Sequence, residues 1–431
     1  MTLEHRYLLV RAASLYLAVV ATAIVWRWRH PSSPAVAGAL LASIWNLPIV
    51  LGLQLAATHF GWWRFDARGG LLLGMPVEVY LSWAWLWGAV PALAFPSLPL
   101  TTVVLIALAA DLVLMPAATP VLQLESSWLV GEAIALLCGL LPAQLLARWT
   151  ARSEHLAGRT LLQVGAFVGV VLFLLPAIVI EGTSSPWLSP FEYPAWQVSL
   201  LVQVLACPAI LGLTAVQEFV TRGGGTPFPF DPPRRLVTSG VYAYVRNPMQ
   251  LASVVLLFLL GFALRNTWVA VAGVMAHLYS AGLAGWDEDE DLRSRFGDDW
   301  VAYRRAVRAW IPRVRPWHQP DAAPARLFVS EDCDMCRDVG CWFEMRGARQ
   351  LAIVAAETHA SRSLTRFTYE PADGSPSVGG IEAVARALEH LHLGWALMAF
   401  VLRLPVVRPL TQLLVDASGG GPRRIAWKTA R

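Results

Sequence analysis

The chain has 431 residues, of which 56% are hydrophobic and only 15% are charged. A soluble domain carries about 25% charge, so this composition excludes an ordinary water-soluble globule and points to a polytopic membrane protein. The formal net charge of +4 is met by arginines beside a membrane and calls for no nucleic-acid partner.

A helix needs about 20 apolar residues to cross a bilayer. Nine spans are expected, at residues 7–26, 36–59, 77–95, 99–118, 128–147, 161–181, 195–217, 249–264 and 267–285. The last two are short, are joined by Arg265 and Asn266, and read as a tight helical hairpin. Tryptophan favours the headgroup level, and Trp26, Trp62, Trp63, Trp128, Trp149, Trp187, Trp268 and Trp286 stand near the ends of these runs. No small-residue cleavage site stands out after the first run, so no cleavable signal peptide is expected.

Short-loop arginines set the orientation. With nine spans, Arg27 and Arg29, then Arg148, Arg152 and Arg159, then Arg222, Arg234, Arg235 and Arg246, and finally the set from Arg293 to Arg315 all fall on one side. That side is expected to be cytoplasmic, with the C-terminus inside. Arg6, Arg11, Arg64 and Arg68 run against the pattern. The loop 182–194 has no Arg or Lys and fits the outer side. Glu78, near a helix start, and Asp111, Glu125 and Glu132, within or beside apolar runs, are costly in a membrane and are functional candidates by default. Cys138 and Cys207, inside apolar runs, read as inert core thiols.

The most informative stretch is residues 236–312: LVTSGVYAYVRNPMQL, a hydrophobic hairpin, then WDEDEDLRSRFGDDWVAYRRAVRAWIPR. A helical hairpin returns to the side where it began. It therefore brings Gly240, Tyr242, Tyr244, Arg246, Asn247 and Pro248 into the neighbourhood of the acids Asp287 to Asp291, which include Glu288 and Asp289. An arginine there can hold a carboxylate as a fork, an acid can accept from hydroxyls or an ammonium, and tyrosine faces can stack on a ring or a sulfonium. S-adenosylmethionine presents all of these groups.

Residues from about 218 to 315 resemble the membrane methyltransferases of the isoprenylcysteine carboxyl methyltransferase and phospholipid methyltransferase type. GTPFPFDPPRRLVTSGVYAYVRNP carries the likeness, completed by Phe296-Gly297, Trp300, Tyr303, Val307 and Trp310-Ile311-Pro312. The family's Arg-His-Pro is Arg246-Asn247-Pro248 here, its next aromatic is Gln250, and its paired acids align with Glu288 and Asp289. The resemblance implies S-adenosylmethionine as cofactor, Tyr242, Arg246, Asn247, Glu288 and Asp289 around it, and a lipid-soluble carboxylate, amine or thiol as acceptor. Arg246 and Glu288 are the leading catalytic candidates. No metal is expected.

From about residue 316 the composition changes. WHQPDAAPA is a Pro/Ala linker, followed by short strands at 326–330 and 350–356, a strand and turn around FTYE, and helices at 333–346 and 381–392. The run 393–415 is broken by Pro405 and Pro409 and is not expected to span. Cys333 and Cys336 open a helix after a strand, a setting that lowers a thiol pKa and reads as a redox motif. Zinc would need two further ligands, and Cys341 and His359 are poorly spaced for it. LFVSEDCDMCRDVGCWF and DGSPSVGGIEAVARAL resemble the thiol-disulfide oxidoreductases named for their Asp-Cys-Cys pattern. That resemblance implies a thioredoxin-like fold, attack by Cys333, resolution by Cys336 and a cytoplasmic thiol partner.

The expected architecture is an all-α polytopic membrane protein of about nine transmembrane helices with a C-terminal α/β thioredoxin-like domain. It divides into transmembrane helices at 1–217, a methyltransferase-like core at 218–315, a linker at 316–324 and the redox-like domain at 325–431. The expected location is a bacterial inner membrane. Three rivals stay open: a membrane-anchored thiol-disulfide oxidoreductase, an NADPH-dependent reductase of the sterol type, and a non-catalytic lipid-binding scaffold.

Overall fold

The structure is a computed structural model, and it describes residues 3–185, 192–228, 231–319, 322–359 and 364–422. Residues 186–191 of the expected outer loop at 182–194 lie outside the described residues. Among the described residues, seven helices are long and apolar enough to cross a membrane, eight if a bent pair counts as one more. The protein is therefore a multi-pass helical membrane protein, with fewer qualifying spans than the nine expected. The chain divides into two compact units, whose boundaries fall inside two of the helices.

The first unit contains α1 (Leu3–Arg29) and α2 (Ser33–Phe60). A proline in its first turn starts α2, and Gly61 ends it in the left-handed region at φ 67°, its N–H bonded to the carbonyl of Ala57. Next come β1 (Trp63–Phe65), β2 (Leu71–Leu72), β3 (Met75–Pro76), α3 (Val77–Trp87) and α4 (Ala89–Ala94). The run 77–95 reads as one span by hydropathy, but the chain breaks at Gly88. Side chains satisfy the opened backbone: Gln144 Nε2 donates to the carbonyls of Trp87 and Gly88 at 2.7 and 2.9 Å, and the N–H of Ala89 donates to Ser43 Oγ at 3.0 Å. A Cβ at Gly88 would lie 2.6 Å from the Ser43 backbone, so the close approach requires glycine.

α5 (Leu100–Ala117), β4 (Leu122–Leu124), α6 (Trp128–Arg152) and α7 (Leu156–Gly182) follow. β1 pairs antiparallel with β4, Trp63 opposite Leu124. Leu51, Leu53, Trp63, Met75, Trp87, Met115 and Leu140 are buried at the heart of this unit. Arg11 pairs with Glu78 and also donates to the carbonyls of Arg68 and Gly69, so one exceptional cationic residue is ion-paired and a second meets it through its backbone. Glu125 lies 3.7 Å from Arg64. Cys138 and Cys207 are exposed rather than core thiols; an apolar run in a membrane helix has an outward, lipid-facing side as well as a packed one.

α8 (Ala195–Gly223) is the sixth qualifying span. α9 (Pro248–Ala263) has 16 residues, about 24 Å of helix and short of a hydrocarbon core of about 30 Å. The hairpin turn forms as expected at Arg265 and Asn266: Asn266 Oδ1 accepts from the N–H of Val269 at 3.1 Å, and a Cβ at Gly261 would lie 2.5 Å from the Ala270 nitrogen. α10 then runs from Thr267 to Ala306. The acid run therefore continues the helix instead of forming a loop after it. α10 is interrupted at Gly297, whose φ of 52° and ψ of −126° favour glycine.

The second unit carries β5 (Ala325–Val329), α11 (Asp334–Met345), β6 (Leu351–Ala355), β7 (Thr368–Glu370), β8 (Val378–Gly379), α12 (Ile381–Leu388), α13 (Leu393–Arg403) and α14 (Val407–Val415). The sheet order is β6-β5-β7-β8, with β5 parallel to β6 and antiparallel to β7. The bent pair formed by α13 and the helix after it turns by 95°. Leu393 and Leu397 pack on Leu211, Ala215 and Val241, and a buried ion cluster joins the same elements. Glu218 of α8 meets Arg386 at 2.6 Å and Arg403 at 3.0 Å, and Arg403 meets Glu389 at 2.8 Å. The first residues of the expected linker are docked: Trp317 packs on Tyr303 with ring centroids 5.4 Å apart, and His318 stacks on His390 at 5.1 Å.

Candidate functional site

Backbone hydrogen bonds stitch together the two halves of the central motif. The N–H groups of Arg246 and Asn247 donate to the carbonyls of Arg308 and Ala309 at 2.9 and 3.3 Å; those of Arg313 and Trp317 donate back to Tyr244 and Ala243, each at 2.8 Å. Tyr303 adds its hydroxyl to the carbonyl of Tyr242 at 2.8 Å. A 3₁₀ turn over Gly240–Ala243 sets the entry. Gly240 has φ 56°, and a Cβ there would lie 2.6 Å from Glu218 Cγ, so only glycine serves. Pro248 opens α9, where its missing N–H costs nothing.

Arg246 is half-buried, with its guanidinium 5.5 Å from the Trp300 ring centroid and Nη1 donating to the Arg304 carbonyl at 3.3 Å. Burial, and next the nearby Arg304, pull its pKa below the ordinary value, while Glu288 and Asp289 pull the other way. Gln250 lies near Glu288, and its Oε1 accepts from Asn247 Nδ2 at 3.2 Å. Tyr242 is buried and its hydroxyl has no hydrogen-bond partner. Burial pushes this phenol well up, with the neighbouring Tyr303 and Glu288 adding to the effect, so it stays a neutral donor.

The expected residues divide here. Tyr242, Arg246, Asn247 and Glu288 converge. Asp289 is taken by Trp300 Nε1 at 2.9 Å and by Arg304. Tyr244 points elsewhere, its hydroxyl donating to the carbonyl of Glu389 at 2.8 Å. Two motif residues that were given no site role act here: Gln250 lies between Asn247 and Glu288, and Trp300 carries the face on which Arg246 rests.

In the sheet region, β5 delivers Cys333 to the start of α11. Cys333 caps that helix, its Sγ accepting from the N–H of Cys336 at 3.3 Å, and the two are disulfide-bonded with Cα atoms 5.2 Å apart. Cys333 is 3% exposed, Cys336 is half-buried and Cys341 is an exposed free thiol. Glu357 holds the preceding loop, accepting from Ser330 Oγ at 2.7 Å and the N–H of Glu331 at 3.0 Å. His359 is engaged with Glu370 at 2.9 Å. No group of three or more His, Cys, Asp or Glu able to hold a metal occurs among the described residues.

Compared with family models, characterised proteins and solved structures, the chain returns no match. The functional reading rests on the residues themselves.

Proposed function

We propose that the protein is an integral membrane methyltransferase that uses S-adenosylmethionine to methylate a lipid-soluble carboxylate, amine or thiol. The observation that carries this reading is the buried, unpartnered Tyr242 hydroxyl near Glu288, the acid that Arg246 also faces. Such a donor calls for an acceptor, and the set fits the cofactor's polar groups. Arg246 would pair with its carboxylate after giving up the Arg304 carbonyl. Glu288 would accept from its ammonium or ribose hydroxyls, and Gln250 and Asn247 would hold Glu288 in place. When bound, the cofactor supplies an electrophilic methyl group; the protein contributes positioning and electrostatics. The motif face is cytoplasmic in this reading, and the acceptor enters from the bilayer.

Calorimetric titration of the detergent-purified protein tests this. Saturable S-adenosylmethionine binding is expected, weakened by about 2–5 kcal/mol in Arg246→Ala and in Glu288→Ala if each strands a desolvated partner. Unchanged affinity in both variants overturns the site. NADPH binding without S-adenosylmethionine binding moves the assignment to a reductase.

The sheet region supports a second chemistry. Its strand order, with Cys333-Asp-Met-Cys336 at the helix after the first strand, supports reading it as a thioredoxin-like module. In the reduced form, the Cys333 thiolate would attack a partner disulfide, and the Cys336 thiolate would then displace the partner as its dithiol, regenerating the disulfide. With Cys333 at a helix N-terminus, alkylation of the reduced protein should be faster there than at a free cysteine; an equal or slower rate would leave the module a scaffold.

A further inference from the structure

α14 is amphipathic in the reverse sense to a helix that packs in water. Val406, Leu410, Leu413 and Leu414 fall on one face, at spacings of four and three to four residues, and are 57–70% exposed. The polar residues are the ones tied back to the unit. Gln412 Oε1 accepts from the N–H of Ile381 at 2.8 Å, and Arg408 donates to Glu382 at 2.9 Å. Asp416, just past the helix, accepts from Arg366 at 2.7 Å. A surface helix in water buries its apolar stripe and solvates its charges. Here polar groups fix the helix to the protein, and the large aliphatic chains face outward.

The neighbouring elements say what lies outside. α13, immediately before, packs Leu393 and Leu397 on Leu211 and Ala215 of the span α8. Its last residue, Arg403, is paired at 3.0 Å with Glu218, near the end of that span. The chain therefore leaves α13 beside a membrane-spanning helix. It breaks around Pro405 and turns by 95°. The nine residues of α14 make about 14 Å of helix, too short for a hydrocarbon core of about 30 Å. A short helix that starts beside a span, cannot cross and turns its leucines outward has the form of an interfacial helix. The sequence after Asp416 adds Arg423, Arg424, Lys428 and Arg431 with Trp427, and no acid. Such a composition favours an anionic headgroup layer.

We propose that α14 is a membrane-surface anchor, lying in the plane of the bilayer interface with Val406, Leu410, Leu413 and Leu414 among the upper acyl chains. The basic sequence after it selects a leaflet with anionic headgroups. Met335, between the two cysteines, has its Cε 3.5 Å from where a Cβ at Gly420 would stand. The anchor thus also holds the Cys333–Cys336 loop near the lipid surface. It depends on neither the methyl-transfer nor the thiol-exchange reading.

Spin-label accessibility of the full chain in nanodiscs of phosphatidylethanolamine and phosphatidylglycerol tests the anchor. The exposed free thiols Cys138, Cys207 and Cys341 are replaced by serine, and a nitroxide is attached in Leu410→Cys or in Leu414→Cys. The parent without an added cysteine sets the background. Oxygen concentrates among acyl chains and a nickel chelate stays in water, so collision with oxygen is expected to exceed collision with nickel several-fold at both positions. Nickel-dominated collision at both would put the stripe in water and overturn the proposal. Low collision with both agents would mean that protein covers the stripe, either residues after 422 or a second copy of the chain, and would overturn it equally.

Discussion

Glu218 and Glu132 are both acids on membrane-spanning helices, 0% and 1% exposed, and they are accommodated by opposite means. Glu218 lies between Arg386 and Arg403, with Glu389 completing two positive and two negative groups. Burial works against the Arg386 charge, but Glu389 and Glu218 hold the guanidinium above its ordinary value. Glu132 instead faces Asp111, which Trp87 anchors, and has no donor for either of its own oxygens. A buried acid whose charge is cancelled by fixed arginines is committed to holding elements together. One whose neighbour is another acid depends on a proton held between the two rather than on an opposite charge.

The largest expected effect is therefore Glu218→Ala. It strands two buried guanidinium groups with one carboxylate, which should cost about 3–5 kcal/mol of stability, read as a lower denaturation midpoint in mixed micelles. Adding Arg403→Met should recover part of the loss, because it removes one of the stranded charges. Full stability in the single variant would mean that the arginines find water, and that the two clusters differ less than their contacts imply.

Neither cluster was legible as a unit in the sequence. The hairpin site was, because Tyr242, Arg246, Asn247 and Pro248 sit within seven positions of the chain and the hairpin itself fixes where the acids return. The strands and helices after residue 325 were also legible, since alternation and turn residues act over a few positions. Glu218 finds Arg386 and Arg403 at separations of 168 and 185 residues, which no periodicity encodes. Asp111 and Glu132 stood out singly as acids in apolar runs, but their pairing belongs to how α5 packs near α6. Hydropathy also counted residues 77–95 as a span, because a sliding average cannot register a backbone break at one glycine that Ser43 and Gln144 stitch from other helices.

The smallest effect sharpens the comparison most. Glu132→Gln replaces the acid by an amide of nearly the same shape, whose N–H can donate to Asp111 in place of the shared proton. No opposite charge is stranded, so stability should change by about 1 kcal/mol or less, measured by the same denaturation midpoint as for Glu218→Ala. A loss as large as that of Glu218→Ala would show that Glu132 is held as a charged group by a partner, and the two acids would then belong to one class.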